Sequence, residues 1–152
     1  MKQRKFKPFG NISSLSLGGG GIGNVWGQSS RSERVSTVSL AIESGINHLD
    51  MAPMYGKGEA ERVIGEAFKE LDHSAINLTT KCRLGTVKDS EVYTRLNNSL
   101  CRSLETMGVE KVNLFLLHSQ LIEDDYQLPF LSPLSLDFCK ENYLVYYKPQ
   151  NL

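Results

Sequence analysis

The sequence has little that would point to a membrane, a secreted scaffold or a polyanion. No apolar run approaches the roughly 20 residues that cross a bilayer. No signal-type apolar run follows the basic start at Lys2, Arg4, Lys5 and Lys7, and those residues read as a solvated terminus. The 3 cysteines, Cys82, Cys101 and Cys139, lie far apart and form neither a disulfide framework nor a paired-thiolate metal site. Free thiols in a reducing cytoplasm are therefore expected, with no metal. The 17 basic and 17 acidic side chains balance, so no excess charge favours nucleic acid or an anionic membrane as partner. A chain of 152 residues with 40% hydrophobic and 22% charged residues is one globular domain of ordinary size, not a disordered segment.

What is present is alternation. Leu15 to Leu17 reads as a strand entering a glycine-rich loop, Gly18 to Gly23. Ser30 and Glu33 have capping-box spacing and predict a helix whose Val35, Val38 and Ile42 share a face and which ends at Gly45. Ile46 to Asp50 is a second strand. Ala60, Val63, Ile64, Ala67, Phe68 and Leu71 recur at helical spacing. Ala75 to Lys81 is a third strand. Tyr93, Leu96, Leu100, Leu104 and Met107 mark another helix, stopped by Gly108. Val112 to His118 is a fourth, almost wholly apolar strand, as one covered on both faces should be. Lys5 to Asn11 is compatible with a small hairpin turning at Gly10 and Asn11. Beyond Ser119 the period is lost, and the segment carries an acidic run at residues 123–125.

A strand-helix repeat of this kind implies parallel strands with right-handed crossovers. Two architectures use it. Gly18, Gly20 and Gly23 have the spacing of a dinucleotide fingerprint in an open sheet, with Asp50 as a ribose ligand. In such a fingerprint, however, the helix opens within the glycines, whereas here residues 24–29 intervene. The barrel alternative rests on polar residues at matched strand ends. Asp50 ends the second strand, Lys81 the third and His118 the fourth, with Tyr55 just after the second. Charge at the end of a buried strand is costly unless paired or functional. In a strand-helix barrel that edge is where active sites are built. Taken singly, each could be structural: a loop ion pair, a capped histidine, a packing aromatic.

Residues 45–56, running from Gly45 through Asp50 to Tyr55 and Gly56, resemble the signature of the aldo-keto reductase family. Glu59 and residues 64–67 continue it, Thr79-Thr80-Lys81 resembles the third strand, and residues 114–119 the fourth. Met51 stands where many members carry threonine. The similarity runs from about Leu15 to Tyr126. It implies an α/β fold, a partial (β/α)8 TIM barrel with about four parallel strands, flanking helices and an irregular tail. Residues 1–126 would be the N-terminal half of the barrel and 127–152 a divergent tail without assigned fold.

The implied activity is NADP-dependent reduction of an aldehyde or ketone to an alcohol. Tyr55 would be the general acid. A phenol with an ordinary pKa near 10 gives up its proton reluctantly at neutral pH, and the Lys81 ammonium would stabilise its phenolate. Asp50 would pair with Lys81, and His118 would orient the substrate oxygen. Gly19, Gly20, Gly21, Ile22 and Asp50 would lie beside the nicotinamide end of NADP(H). His48 shares a face with Asp50 and reads as barrel packing. Trp26 is a candidate substrate contact, and His73 receives no role. In the family the second half supplies most contacts to the cofactor phosphates. The alternative expectation is thus a non-catalytic remnant acting at most as an interaction module, with weak or no NADPH binding. A four-stranded half barrel would also leave two sheet edges and an apolar inner face open, favouring self-association.

Overall fold

The structure is a computed structural model and describes residues 1–6 and 9–118. A hairpin comes first, β1 (Gln3–Phe6) against β2 (Gly10–Ser13). The repeat follows: β3 (Leu17–Gly18), α1 (Gly19–Ile22), α2 (Arg31–Glu43), β4 (His48–Asp50), α3 (Glu59–Ala67), β5 (Asn77–Cys82), α4 (Asp89–Met107) and β6 (Leu114–Leu117). The four strands β3-β4-β5-β6 are parallel and lie side by side in chain order. A doubly wound sheet would reverse that order at a switch point. Steady addition of neighbours in one direction is the course of barrel staves. Readings placed on residues 119–152, including the acidic run, Cys139 and the tail, lie outside the described residues.

The helix boundaries follow from caps. Ser30 and Glu33 form the expected box: the Glu33 amide donates to Ser30 Oγ at 3.2 Å and the Ser30 amide to Glu33 Oε2 at 2.7 Å. Gly45, at φ +87°, closes α2, with its amide and that of Ile46 donating to the carbonyls of Ile42 and Ala41. Ile46 is spent on that cap, which is why β4 starts at His48 and not at residue 46. Gly108 ends α4 in the same manner, at φ +66°.

Several expectations change. Gly10 and Asn11 lie inside β2, opposite Phe6 and Lys5, so the hairpin turns before them. The first parallel strand is Leu17–Gly18, and Leu15 is exposed, because residues 13–16 are bent by side-chain bonds such as Ser13 Oγ to the Leu15 carbonyl at 2.6 Å. The glycines after it form one helical turn, Gly19–Ile22, instead of an open loop. α3 stops at Ala67, and tighter turns carry the chain through residue 70. On α4 the buried apolar positions are Val92, Leu96, Leu100 and Met107, while Tyr93 faces outward, one position round from the expected stripe.

The core fills the space between the sheet and its helices. Leu49, Leu78, Cys82 and Phe115 point outward from the strands into Val38, Ile64, Val63, Leu96 and Leu100. The opposite, inner face carries His48, Asp50, Thr79 and Lys81, with Leu114 and Leu116 beside them in register. The inner face is thus largely polar on β4 and β5, where an apolar filling was expected. Its hydrogen bonds are internal, so it needs less apolar cover than a leucine-lined stave would.

α3 and α4 touch backbone to backbone at Gly65, where an added Cβ would overlap the Thr106 carbonyl oxygen. Alanine would gain helix propensity of about 1 kcal/mol over glycine, but neither backbone can give way alone. Gly65→Ala is expected to lower unfolding stability by a net ~1–3 kcal/mol, the usual cost of overpacking. Urea denaturation checks it, and an unchanged or raised midpoint would contradict the contact.

Candidate active site

Lys81 organises the C-terminal edge of the sheet. Asp50 and Thr79 are register partners, so Lys81, two residues further along the same face, reaches back across the end of β4. Its Nζ donates to Asp50 Oδ1 at 2.6 Å, to the Met51 carbonyl at 2.9 Å and to Tyr55 Oη at 3.3 Å. Three acceptors match the three protons of an ammonium. Lys81 is only 8% exposed, and this full set of partners is what permits burial of the charge. Nζ also lies 4.9 Å from the centroid of the Tyr55 ring. His118 meets the same ring edge-on, with centroids 5.7 Å apart and planes at 82°. The His118 amide donates to the Cys82 carbonyl at 2.7 Å and so prolongs the β5–β6 ladder to the site. His118 Nδ1 is buried without a hydrogen-bond partner among the described residues. Asp50, Tyr55, Lys81 and His118, from three strand ends and one loop, thus form one cluster.

Glycines set the position of Tyr55. A Cβ on Gly19 would stand 2.7 Å from the Tyr55 ring, 3.0 Å from Met51 Sδ and 3.2 Å from Ala60 Cβ. Gly56 adopts φ +61°, and a side chain there would overlap the Gly23 carbonyl. The α1 turn and the Tyr55 loop are therefore in direct backbone contact, which only glycine allows. Gly20 lies under Trp26, whose ring would be 2.6 Å from an added Cβ, although Trp26 itself is 81% exposed. At Gly19 and Gly20 the need for glycine comes from protein packing. At Gly18 and Gly21 an added Cβ would meet nothing within 4 Å, so open space lies above them. Gly18 is the register partner of Asp50. Ile22 is buried in the core.

Other supports went unread in the sequence. His48 bridges Ser16 Oγ at 2.7 Å and Thr79 Oγ1 at 2.9 Å, linking β3, β4 and β5 below the charged cluster. It is a packed interior group, as expected, but a hydrogen-bonded one. Glu59 pairs with Arg34 at 2.9 Å and Arg62 at 3.1 Å, and Arg34 also donates to the Ile22 carbonyl at 3.4 Å. That buried arginine ties α2 to α3 and the glycine turn at once. The signal in sequence was a lone arginine on an otherwise apolar face. His73 stacks on Phe68 at 4.3 Å, away from the site.

Burial holds the proton affinity of both site histidines below the ordinary range. For His118 the Lys81 charge adds to burial and Asp50 opposes it. For His48, Asp50 opposes burial and Lys81 adds to it. Both are neutral near pH 7. The unfolded chain then binds protons that the folded chain resists, so stability falls as pH drops through 6.5 toward the lower folded values. Proton NMR should show both imidazoles titrating below 6.5, the reference value for the free ring. Unfolding free energy should decline over the same window, and a midpoint above 6.5 for either ring would contradict the assignment.

A model of the Aldo/keto reductase family matches residues 14–134. The chain is 28% identical over 138 residues to the NADH-specific methylglyoxal reductase of Escherichia coli (strain K12), covering 82% of this chain and 40% of that protein. It is 30% identical over 111 residues to L-galactose dehydrogenase of Arabidopsis thaliana, covering 70% and 34%. It therefore spans about two fifths of the length of the curated relatives it matches. A thermostable aldo-keto reductase solved with the inhibitor epalrestat superposes with TM-score 0.75 at 25% identity, covering 95% of this chain and 52% of that one. An aldo-keto reductase of Klebsiella pneumoniae, solved with NADPH, superposes with TM-score 0.74 at 21% identity, covering 94% and 47%. The four staves are those of part of a (β/α)8 barrel, and the chain belongs to the aldo/keto reductase family.

Proposed function

We propose that this chain carries the proton-donating site of an NADP(H)-dependent carbonyl reductase, converting aldehydes or ketones to alcohols. The observation that carries this reading is the single ammonium shared by Asp50 and Tyr55, with His118 against the phenol ring. A reduced nicotinamide fits the open space above Gly18 and Gly21, beside Asp50. Gly19, Gly20 and Ile22 shape the floor of that space by packing. When bound, the cofactor supplies a hydride to the carbonyl carbon. NADP(H) is favoured because similarly folded reductases were solved with it, although one curated relative is NADH-specific. No metal enters the reading.

Negative charge develops on the substrate oxygen as the carbon is reduced. Tyr55 Oη donates its proton there. The Lys81 ammonium, 3.3 Å away, stabilises the charge left on the phenolate oxygen. Asp50 holds that ammonium in place. His118, neutral, offers a ring N–H to the substrate oxygen and fixes its approach to Tyr55. Trp26 covers Gly20 at the mouth of the same turn, where a small carbonyl substrate would enter.

NADPH binding followed by fluorescence, and turnover of methylglyoxal with NADPH or NADH, test the proposal. Tyr55→Phe is expected to lower kcat by about 10²–10⁴-fold, the usual worth of a general acid, with NADPH affinity unchanged. Saturable binding without any turnover, or the absence of both, would favour the non-catalytic alternative. Gly19→Ala should displace the Tyr55 ring, since Met51 and Ala60 close the other sides. It is expected to cost activity at least tenfold with little change in NADPH affinity; equal activity would show that the ring need not sit where it does.

A further inference from the structure

A cavity of about 920 Å³ lies on the helix side of the sheet, between α3 and α4. The two helices touch at Gly65 and Thr106, and the groove opens beside that contact. α4 faces this groove with Arg95, Ser99, Arg102, Ser103 and Thr106, at helical spacing, where a helix packed on its neighbour is ordinarily apolar. Arg62 comes from α3, Arg83 from the end of β5 and Lys57 from the loop before α3. Five cations therefore line the groove against one acid, Glu61. Arg62 is paired with Glu59, but Lys57, Arg83, Arg95 and Arg102 have no ion pair among the described residues.

The floor is polar as well. Ser103 is wholly buried beside the Glu61 carboxyl. Glu61, 2% exposed, accepts from Thr80 Oγ1 at 2.6 Å. Burial pushes the Glu61 carboxyl up from its ordinary value, against hydrogen bonds from Thr80 and Ser103 and the charges of Arg102 and Arg62. Met54 and Arg83, with Arg83 Nη1 4.0 Å from Met54 Sδ, line the groove on the side of Tyr55 and Lys81, one and two residues away along the chain.

We propose that this groove is a binding site for a small phosphorylated anion carrying two or more negative charges, separate from the nicotinamide site. Guanidinium forks arriving from α3, β5 and α4 approach from three directions, which suits the tetrahedral oxygens of a phosphoryl group better than a planar carboxylate. The volume is that of an ordinary small-molecule pocket, so the phosphoryl group would be borne by a small organic molecule.

Isothermal titration of the full chain with inorganic pyrophosphate, at fixed ionic strength, tests this directly. Saturable binding is expected, weakened at least tenfold in the Arg95→Gln/Arg102→Gln variant. Both arginines are exposed, so the unfolding midpoint should not move. Tyr55→Phe should leave pyrophosphate affinity unchanged, whatever becomes of carbonyl reduction. Equal affinity for citrate would mean attraction by charge alone and would overturn the phosphoryl assignment. Competition by NADPH would merge the groove with the dinucleotide site and overturn its separateness. A tenfold gain in affinity on Glu123→Gln/Asp124→Asn/Asp125→Asn would make the chain's own acidic run the occupant and overturn the proposal.

Discussion

An ammonium cannot be buried without partners, and the arrangement of this chain around Lys81 follows from that requirement. Its three protons need three acceptors, and these come from the end of β4, from the backbone just beyond it and from the loop that follows. Removing one partner of a buried ion pair costs about 3–5 kcal/mol. The figure here is smaller, because the Asp50 side chain is 36% exposed. The contacts that make the charge tolerable also bring a carboxylate, an ammonium and a phenol within one hydrogen-bonded group.

The phenol is held from the other side by backbone. Gly19, Gly23 and Gly56 let the turn after β3 and the loop after β4 approach more closely than side chains permit. Behind them, Arg34 reaches from α2 to Glu59 and to the Ile22 carbonyl, bracing both segments against α3. Below, the Ser16–His48–Thr79 bridge keeps three strands in register without apolar filling. The inner face is thereby polar at every level on β4 and β5, while apolar packing is confined to the helix side. That division lets β4 and β5 pack an apolar face on the helices and still carry a charged cluster at their ends.

The helix side has its own polar region, and the contrast between the two ends of the α3–α4 contact is instructive. At Gly65 the backbones meet. One to three turns toward the strand ends, arginines and hydroxyls replace the apolar residues that would have closed the gap. A groove of that composition is not a packing remnant in the sense of a small apolar void, which stays dry; its lining calls for water or an anion. Met54 and Arg83 line it, one residue from Tyr55 and two from Lys81 along the chain.

Much of this was legible in the sequence. The capping box at Ser30, the closing glycines at Gly45 and Gly108, and the periodicity of α3 are local signals, because hydrogen bonds between residues three to five apart decide them. The placement of Asp50, Lys81 and His118 at matched strand ends was legible too, since parallel strands in a repeat put equivalent positions at one edge. The limit of the first strand was not, because Ser13 and Ser16 are claimed by bonds to Asn47 and His48 that no local pattern reveals. Nor was the reason for Gly19 and Gly56, which lies in atoms 36 and 33 residues away along the chain. The sequence by itself determined which residues could serve as acid, charge partner and orienting group, and the order of the elements bearing them. Only the tertiary structure decided that one ammonium serves two of them at once, because that depends on a register between strands, and register is set by contacts distant in sequence.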